Sequence, residues 1–177
     1  MPKGIVVFGA NGSGKSTLGR KLAHFLQYKY MDIEDYHFAK SEIPYSVVRS
    51  REECLSLMLD DIEKYNTFVI SAVSGDFGEK INAMYECAVH LSAPLEIRLE
   101  RIKQRSYLQY GERVRQGGDM FDQENKFHDF VVSRSLSEVE NWAETLQCPI
   151  IRVDGTKPVH ENAQRIVSQY QALHVSK

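Results

Sequence analysis

The sequence predicts an α/β domain built on a five-stranded parallel sheet flanked by helices. Short apolar runs rich in valine and isoleucine alternate with longer stretches in which apolar residues recur every three or four positions. The first pattern is typical of strands buried on both faces, and the second of amphipathic helices. Strands that alternate with helices are joined by right-handed crossovers and form a parallel sheet covered on both sides.

The first half of the chain is predicted to contain three strands and two helices. The strands are Ile5–Phe8, Tyr28–Asp32 and Thr67–Val73, each apolar or β-branched. One helix spans Ser16–Gln27 and the other Glu52–Lys64, because their apolar residues fall on one face. The residues of that face are Leu18, Leu22, Phe25 and Leu26 in the first helix and Cys54, Leu55, Met58, Leu59 and Ile62 in the second.

The chain then continues with a brief helix at Gly78–Tyr85 and a fourth strand, CAVHLSA, at 87–93. Pro94 suits the first turn of a helix that runs through LEIRLERIKQRS, residues 95–106. The span Tyr107–Asp122 has little periodicity and contains two adjacent glycines, so it is predicted to be a loop.

A long helix, Gln123–Leu146, is predicted next. Its inward-facing residues are expected to be Phe127, Phe130, Val131, Leu136, Val139 and Trp142. The segment PIIRVDG at 149–155 is predicted as the fifth strand, and Pro158–Leu173 as the closing helix.

Length and composition indicate one ordinary globular domain. The chain has 177 residues, 42% hydrophobic and 26% charged, which suits a single buried core. Lysine and arginine number 22 against 24 acidic residues, so the basic surplus of nucleic-acid-binding domains is missing. We expect no nucleic-acid partner.

The sequence predicts neither a membrane segment nor a secretion signal. No run approaches the roughly 18 apolar residues of a membrane span, and the start MPKGIVVFG leads directly into a strand. Cys54, Cys87 and Cys148 are widely spaced and odd in number, which predicts buried thiols in a reducing compartment. We therefore expect a cytoplasmic protein without a membrane partner.

The segment Gly9–Ser16, GANGSGKS, fits the Walker A pattern GxxxxGK[ST] between a strand and a helix. Its glycines let backbone N–H groups turn toward phosphate oxygens, and the helix N-terminus adds its dipole. Lys15 is predicted to supply charge near the outer phosphates, and Ser16 a hydroxyl to magnesium. The residues predicted to bind ATP here are Gly9, Asn11, Gly12, Ser13, Gly14, Lys15, Ser16 and Thr17.

With this motif in this position, the chain resembles the P-loop nucleoside-monophosphate and small-metabolite kinases, such as adenylate, shikimate and gluconate kinases. The resemblance implies ATP as phosphoryl donor, Mg²⁺ as cofactor, an acceptor-side region at about 36–60 and a lid at about 106–122. The segment VDGTKPV resembles the one that adenylate kinases place against adenine. It makes Gly155, Thr156, Lys157 and Pro158 ATP-binding candidates, and a simple strand-to-helix turn is the alternative.

The segment RLERIKQR places Arg101 and Arg105 four residues apart on one helical face. It resembles the R-I-x-x-R before the lid of adenylate kinases, which implies that the first arginine lies over adenine and the second meets phosphates. Arg113 and Arg115 lie in the proposed lid, and Arg113 is predicted to add a catalytic cation on closure. The alternative is a solvated charged face, which is the interpretation we expect for Arg134.

Three acids, Asp32, Glu34 and Asp35, stand at the carboxyl end of the second strand, where α/β sheets bind ligands. The resemblance to shikimate and gluconate kinases pairs Asp32 with Glu34, one acid serving magnesium and the other the acceptor hydroxyl. The resemblance to adenylate kinases selects Asp35 instead, twenty positions after Lys15. Asp32 and Asp35 are therefore both catalytic candidates, Glu34 and Asp35 both acceptor candidates, and Ser16 with Asp32 the metal candidates. An acidic N-cap is the structural alternative.

The third strand ends in ISAVSGDFG and lacks the Asp-Gly-Phe-Pro-Arg pattern with which adenylate kinases grip a monophosphate. No arginine lies between Arg51 and Arg98, and a phosphate dianion usually needs one. Gly75 and Asp76 are predicted acceptor contacts. The aromatic residues Tyr36, His37, Phe38 and Tyr45 either cover the acceptor or belong to the core.

Together these features predict an ATP-dependent kinase that transfers the γ-phosphoryl group of Mg-ATP to a hydroxyl of a small polar metabolite or nucleoside. A nucleoside-monophosphate kinase is the second hypothesis, and a non-catalytic ATP-binding regulatory protein the third. The expected partners are ATP and a small-molecule acceptor, and the expected state is a monomer or homodimer.

Overall fold

The computed structural model of the protein describes residues 1–42 and 45–175. Five strands form one parallel sheet in the order β2-β3-β1-β4-β5. They are β1 (Lys3–Phe8), β2 (Lys29–Asp32), β3 (Thr67–Ala72), β4 (Tyr85–Ser92) and β5 (Ile150–Asp154). The predicted fold class is confirmed, and each predicted strand is present within a few residues of its expected bounds.

Helices connect the strands and cover both faces of the sheet. They are α1 (Lys15–Leu26), α2 (Ile33–His37), α3 (Arg51–Tyr65), α4 (Glu79–Asn82), α5 (Leu95–Tyr110), α6 (Phe121–Ser133), α7 (Ser137–Glu144) and α8 (Val159–Val175), with a 3₁₀ turn at Gly111–Val114. Helix α3 begins at a capping box, in which Ser50 and Glu53 satisfy each other's backbone N–H groups.

The core consists of two apolar layers, one on each face of the sheet. Val6 and Phe8 of β1 pack into the layer beneath α3, α4 and α7, and Ile5 and Val7 pack into the layer beneath α1 and α8. All four side chains are fully buried, because neighbouring residues of a central strand point to opposite faces. This central strand holds the loop that follows it at the carboxyl edge of the sheet.

The segment 107–122 is more regular than the predicted loop. Helix α5 continues to Tyr110, and Gly111 then ends it at a φ of 59°, with its N–H bonded to the carbonyl oxygen of Tyr107. Ile102 and Ser106 are buried along this helix, so packing on one side sustains it beyond the apolar pattern. The prediction of a loop from Tyr107 was therefore wrong for the last turn of α5 and for the 3₁₀ turn.

The predicted long helix 123–146 is two helices, α6 and α7. Serine side chains compete with the helical backbone at the break: Ser135 Oγ accepts a hydrogen bond of 3.2 Å from the N–H of Ser137. Phe130 and Leu136 were predicted to face inward, but they are 49% and 40% exposed. The break changes the direction of the chain, so apolar spacing does not carry one buried face across it.

The remaining sequence predictions concern the membrane and the cysteines. Among the described residues, none of the helices combines the length and apolar character that a membrane crossing requires. Cys54 and Cys87 are buried free thiols, and Cys148 is a half-buried one.

Candidate nucleotide and acceptor site

The loop between β1 and α1 has a conformation that only glycines adopt easily. Gly12 and Gly14 have φ values of 80° and 102°, which lie in the left-handed region. A Cβ at Gly12 would stand 2.5 Å from the carbonyl oxygen of Arg98. The loop is thus held between its own turn and the first turns of α5, and Gly14 leads directly into the N-terminus of α1.

Lys15 is enclosed by this loop. Its Nζ donates a 2.9 Å hydrogen bond to the carbonyl oxygen of Ala10. Burial lowers the pKa of Lys15 to about 8, against the opposing effect of Glu34 and Asp32. Among the described residues, the hydrogen-bond partner of this half-buried cation is a neutral carbonyl, so the lysine is suited to meet an incoming anion.

A cavity of about 400 Å³ lies over the loop and brings most of the predicted residues together. The predicted residues that line it are Asn11, Gly12, Ser13, Gly14, Lys15, Ser16, Thr17, Asp32, Glu34, Arg101, Arg105, Gly155 and Lys157. Residues that are more than a hundred positions apart in the chain therefore share one cleft at the carboxyl edge of the sheet, as ligand sites of such sheets do.

Arg101 joins two loops at one end of the cavity. Its guanidinium donates to the carbonyl oxygens of Ser13 at 3.2 Å and Gly155 at 2.8 Å. Asn162 of α8 was not predicted; it also lines the cavity, and its Nδ2 donates to the carbonyl oxygen of Asp154 at 2.8 Å. The predicted Thr156 lies outside the lining, where its hydroxyl and its N–H both donate to Asp154 Oδ1.

Asp32 also lines the cavity and is 7% exposed. Its Oδ1 accepts the N–H of Glu34 at 3.3 Å, which makes it the N-cap of α2. Its Oδ2 accepts the hydroxyl of Tyr30 at 2.9 Å, and burial raises the pKa of that Tyr30 hydroxyl above its usual range. The N-cap considered as a structural alternative is therefore present, in a residue that also faces the cavity.

Asp35 does not line the cavity; it is exposed on α2. Glu34 does line it. Burial, and after it the negative charge of Glu34, raise the pKa of Tyr45 to about 12. Arg49 holds α2 in place, since its Nη1 donates to the carbonyl oxygens of Asp35, Tyr36 and Phe38 at 3.1, 2.9 and 2.8 Å. The structure thus brings Asp32 and Glu34 to the cavity, and not Asp35.

Several other predicted residues lie outside the lining. Arg113 is exposed and forms an ion pair of 2.8 Å with Asp119 inside the lid segment, and Arg115 pairs with Glu112 at 3.1 Å. Gly75 is buried against Trp142. Asp76 bonds to the N–H of Gly78 and the amide of Asn82, next to α4. Gly9 and Pro158 flank the cavity without lining it.

Arg134 lies at the glycine loop, whereas the sequence predicts a solvated surface position for it. Its Nη1 is 3.4 Å from Asn11 Oδ1. After burial, the positive charges of Arg105 and Arg134 also lower the pKa of Lys15, so three cations stand around one region. Arg134 is the first residue after the end of α6 at Ser133. The apolar spacing predicted a continuous helix there, so it gave no sign of this break.

The oxygen donors of the cavity fit magnesium when it is bound together with phosphates. Ser16 offers a hydroxyl and Asp32 a carboxylate, both on the lining, and hard oxygen ligands suit this ion. Within residues 1–42 and 45–175, no group of three or more histidines, cysteines or acids is arranged to hold a metal.

Comparison with known sequences gives a matching family model and several relatives. A family model described as an AAA domain matches residues 5–126, more than half of the chain. The uncharacterized protein YqaC of Bacillus subtilis is 29% identical over 94% of this chain and 97% of its own length. A probable gluconokinase of Rattus norvegicus is 45% identical over 42 residues, 24% of this chain and 23% of its own.

Comparison with solved structures shows which known proteins share the fold of this chain. A crystal structure of shikimate kinase from Bacteroides thetaiotaomicron superposes with a TM-score of 0.62 at 18% identity, and covers 97% of this chain and 99% of the other. The chain therefore has the fold of the P-loop small-molecule kinases, as its sequence predicted.

Proposed function

We propose that this chain, which belongs to the AAA domain family, is an ATP-dependent kinase that phosphorylates a hydroxyl of a small polar metabolite or nucleoside. One observation carries the proposal: a single cavity is lined both by the glycine loop with its half-buried lysine and by two carboxylates, Asp32 and Glu34. A phosphate-binding loop opposite acids is the arrangement that phosphoryl transfer to a hydroxyl needs.

ATP is proposed to lie with its phosphates on Gly9–Ser16 and its base against Arg101 and the loop after β5. Arg101 contacts Gly155 there, and Lys157 also lines the cavity. Lys15 would leave the carbonyl of Ala10 for the phosphate oxygens, because a charge-assisted bond is stronger than a bond to a neutral carbonyl.

Cations around the outer phosphates are proposed to stabilise the transferred group. Phosphoryl transfer passes through a loose transition state whose charge is spread over three oxygens. Arg105 and Arg134 stand close enough to Lys15 for their positive charges to lower its pKa. Arg113 points to Asp119 instead, and a catalytic role for it requires that pair to open on lid closure.

The acids are proposed to divide two tasks. Asp32 would join Ser16 in holding magnesium through water, because it is buried and fixed by hydrogen bonds to both of its oxygens. When bound, magnesium neutralises charge on the phosphate oxygens. Glu34 is more exposed and would accept the proton of the acceptor hydroxyl. That hydroxyl oxygen bonds to the γ-phosphorus while the bond to the β–γ bridging oxygen breaks, which releases ADP.

A hydroxyl acceptor without a phosphate group is proposed because no arginine follows Arg51 until Arg98. Arg49 is engaged with three backbone carbonyls of α2 and the residue after it. The relative described as a probable gluconokinase supports a polyol acceptor, and so does the shared fold of shikimate kinase.

An ADP-release assay tests the proposal with nucleosides, nucleoside monophosphates, sugar acids and cyclic polyols as acceptors. We expect release with a hydroxyl acceptor and its loss in Lys15→Ala, with an unchanged melting temperature. Lys80→Ala, an exposed lysine of α4, is the control and should keep full activity.

Other results would redirect or contradict the proposal. Release with monophosphates alone would favour a nucleotide kinase. ATP binding without ADP release on any acceptor would favour a regulatory protein. Full transfer activity in Lys15→Ala would contradict the assignment of the phosphate site itself.

A further inference from the structure

Tyr30 stands where three elements meet behind the proposed metal side of the cavity. It lies on β2, an edge strand of the sheet, and its ring crosses α1 beside Gly19. A Cβ at Gly19 would come 2.8 Å from Cε2 of Tyr30 and 2.2 Å from Oγ of Ser71 on β3. Only glycine therefore fits at position 19, and the Tyr30 ring occupies the space that a side chain would need.

The hydroxyl of Tyr30 ends at the carboxylate of Asp32, to whose Oδ2 it donates at 2.9 Å. The Arg20 guanidinium lies 5.2 Å from the centre of the Tyr30 ring, and its Nη2 is 3.7 Å from the same Oδ2. Oδ1 accepts the N–H of Glu34. Both oxygens of the Asp32 carboxylate therefore accept a hydrogen bond, and each keeps a lone pair that can face the cavity.

Asp32 has no other side-chain hydrogen bond among the described residues that would hold Oδ2. The bond from Glu34 N–H is long, at 3.3 Å, and Arg20 is mostly exposed, with 63% of its side chain accessible. An exposed, distant cation fixes a carboxylate weakly. The half-buried tyrosine, which makes the shorter of the two hydrogen bonds, is therefore the group that sets the rotation of the Asp32 carboxylate.

From this geometry we propose that Tyr30 is a positioning residue, which orients Asp32 toward the magnesium of bound nucleotide. The inference rests on the proposed function, since it needs a nucleotide in the cavity. Residues that orient a metal-side carboxylate typically change metal affinity 10- to 100-fold when they are removed. Because Asp32 is proposed to act through water, we expect the lower end of that range for Tyr30, about tenfold.

The test measures Mn²⁺ binding to the ADP complex by isothermal titration, with metal-free ADP binding measured beside it. Tyr30→Phe keeps the ring over Gly19 and removes the hydroxyl. We expect Mn²⁺ to bind about tenfold more weakly, with metal-free ADP affinity and melting temperature unchanged. The matched control is Tyr28→Phe, two residues earlier, whose hydroxyl lies 3.2 Å from that of Tyr170 on α8; its Mn²⁺ affinity should equal that of the wild type.

A double-mutant cycle separates positioning from packing. If Tyr30 acts through Asp32, then Tyr30→Phe has no further effect on Mn²⁺ binding in the Asp32→Asn background. Additive losses, or an unchanged Mn²⁺ affinity in either single variant, would overturn the inference while leaving the kinase proposal standing. Wild-type protein that binds no ADP would instead contradict the proposed function, and this inference with it.

Discussion

Arg134 Nη1 lies 3.4 Å from Asn11 Oδ1, so the first residue after α6 contacts the tip of the glycine loop. The guanidinium also stands over the ring of Phe130, 5.4 Å from its centre. This arginine has no carboxylate within ion-pair distance among the described residues, and its charge acts on the half-buried Lys15. We therefore expect an anion to complete its surroundings.

Arg134→Ala should lower the turnover of ADP release about a hundredfold and change the ATP dissociation constant much less. The reason is that a cation aimed at charge that develops in the transition state contributes mainly to turnover. The control is Arg115→Ala in the lid segment, because Arg115 is paired with Glu112. Steady-state kinetics and ATP titration check both variants, and equal losses in the two would assign the effect to the loss of positive charge in general, not to the contact of Arg134 with the glycine loop.

The sequence did not predict this position of Arg134, for a local reason. The apolar spacing through Phe127, Val131 and Val139 is compatible with one continuous helix. Hydrogen bonds of Ser135 to Ser137 instead stabilise a break, and serine makes such bonds in many contexts that remain helical. Periodicity reports which residues are buried, and it does not report where the backbone turns.

Arg101 connects the phosphate loop to the loop after β5 through two backbone carbonyls. Arg101→Lys should weaken ATP binding about tenfold, because one ammonium on a flexible stem cannot replace a planar fork that reaches both carbonyls. Inorganic tripolyphosphate, which has no base, should lose less affinity than ATP. Lys103→Ala, on the same helix but outside the cavity lining, provides the control; parallel losses for both ligands would contradict the bridging role.

Substitution of Gly12 tests the geometry of the glycine loop directly. Gly12→Ala forces a Cβ to within 2.5 Å of the Arg98 carbonyl oxygen at a φ of 80°, and the backbone must shift because the obstacle is itself backbone. We expect ATP affinity to fall more than about a hundredfold, since the amides that face phosphate move with the loop. Calorimetric titration with ATP measures the loss.

Gly117→Ala is the matched control for Gly12→Ala. It has a comparable φ of 90° but open space around the added atom. Its cost is the backbone strain alone, about 1–2 kcal/mol, and ATP affinity should stay unchanged. A similar loss of affinity in both variants would show that strain, rather than contact with Arg98, disturbs the loop.

The fold and the position of the glycine loop were predictable because their signals are local. A central strand buried on both faces has a continuous apolar run, and the glycine loop follows it within a few residues. The acceptor side depends on how α2 rotates its acids. Asp32, Glu34 and Asp35 are nearly adjacent in sequence, and only the N-cap at Asp32 and the three carbonyl bonds of Arg49 determine which of them face the cavity.

Glu86 lies at the amino edge of the sheet and links three elements. Its Oε1 is 2.8 Å from Lys3 Nζ on β1. On α8, the Tyr170 hydroxyl donates to Oε2 at 2.7 Å, and His174 Nε2 lies 3.2 Å from the same oxygen. Burial by itself would raise the pKa of Glu86, but the hydrogen bonds from Lys3, Tyr170 and His174 outweigh it and hold the pKa below its usual value.

Glu86→Gln should therefore lower the free energy of unfolding by about 1–2 kcal/mol at pH 7, since hydrogen bonds to a charged group contribute more than those to a neutral one. A carboxylate whose folded-state pKa is depressed stabilises fully above its unfolded pKa, and this stabilisation is lost as the pH falls through the folded-state pKa. The difference between wild type and Glu86→Gln should thus be fully present at about pH 5 and shrink below about 4. Urea unfolding at each pH measures it, with the exposed Glu144→Gln on α7 as control. A difference that persists undiminished at the lowest pH would mean that Glu86 stabilises by packing and shape, and that its charge contributes nothing.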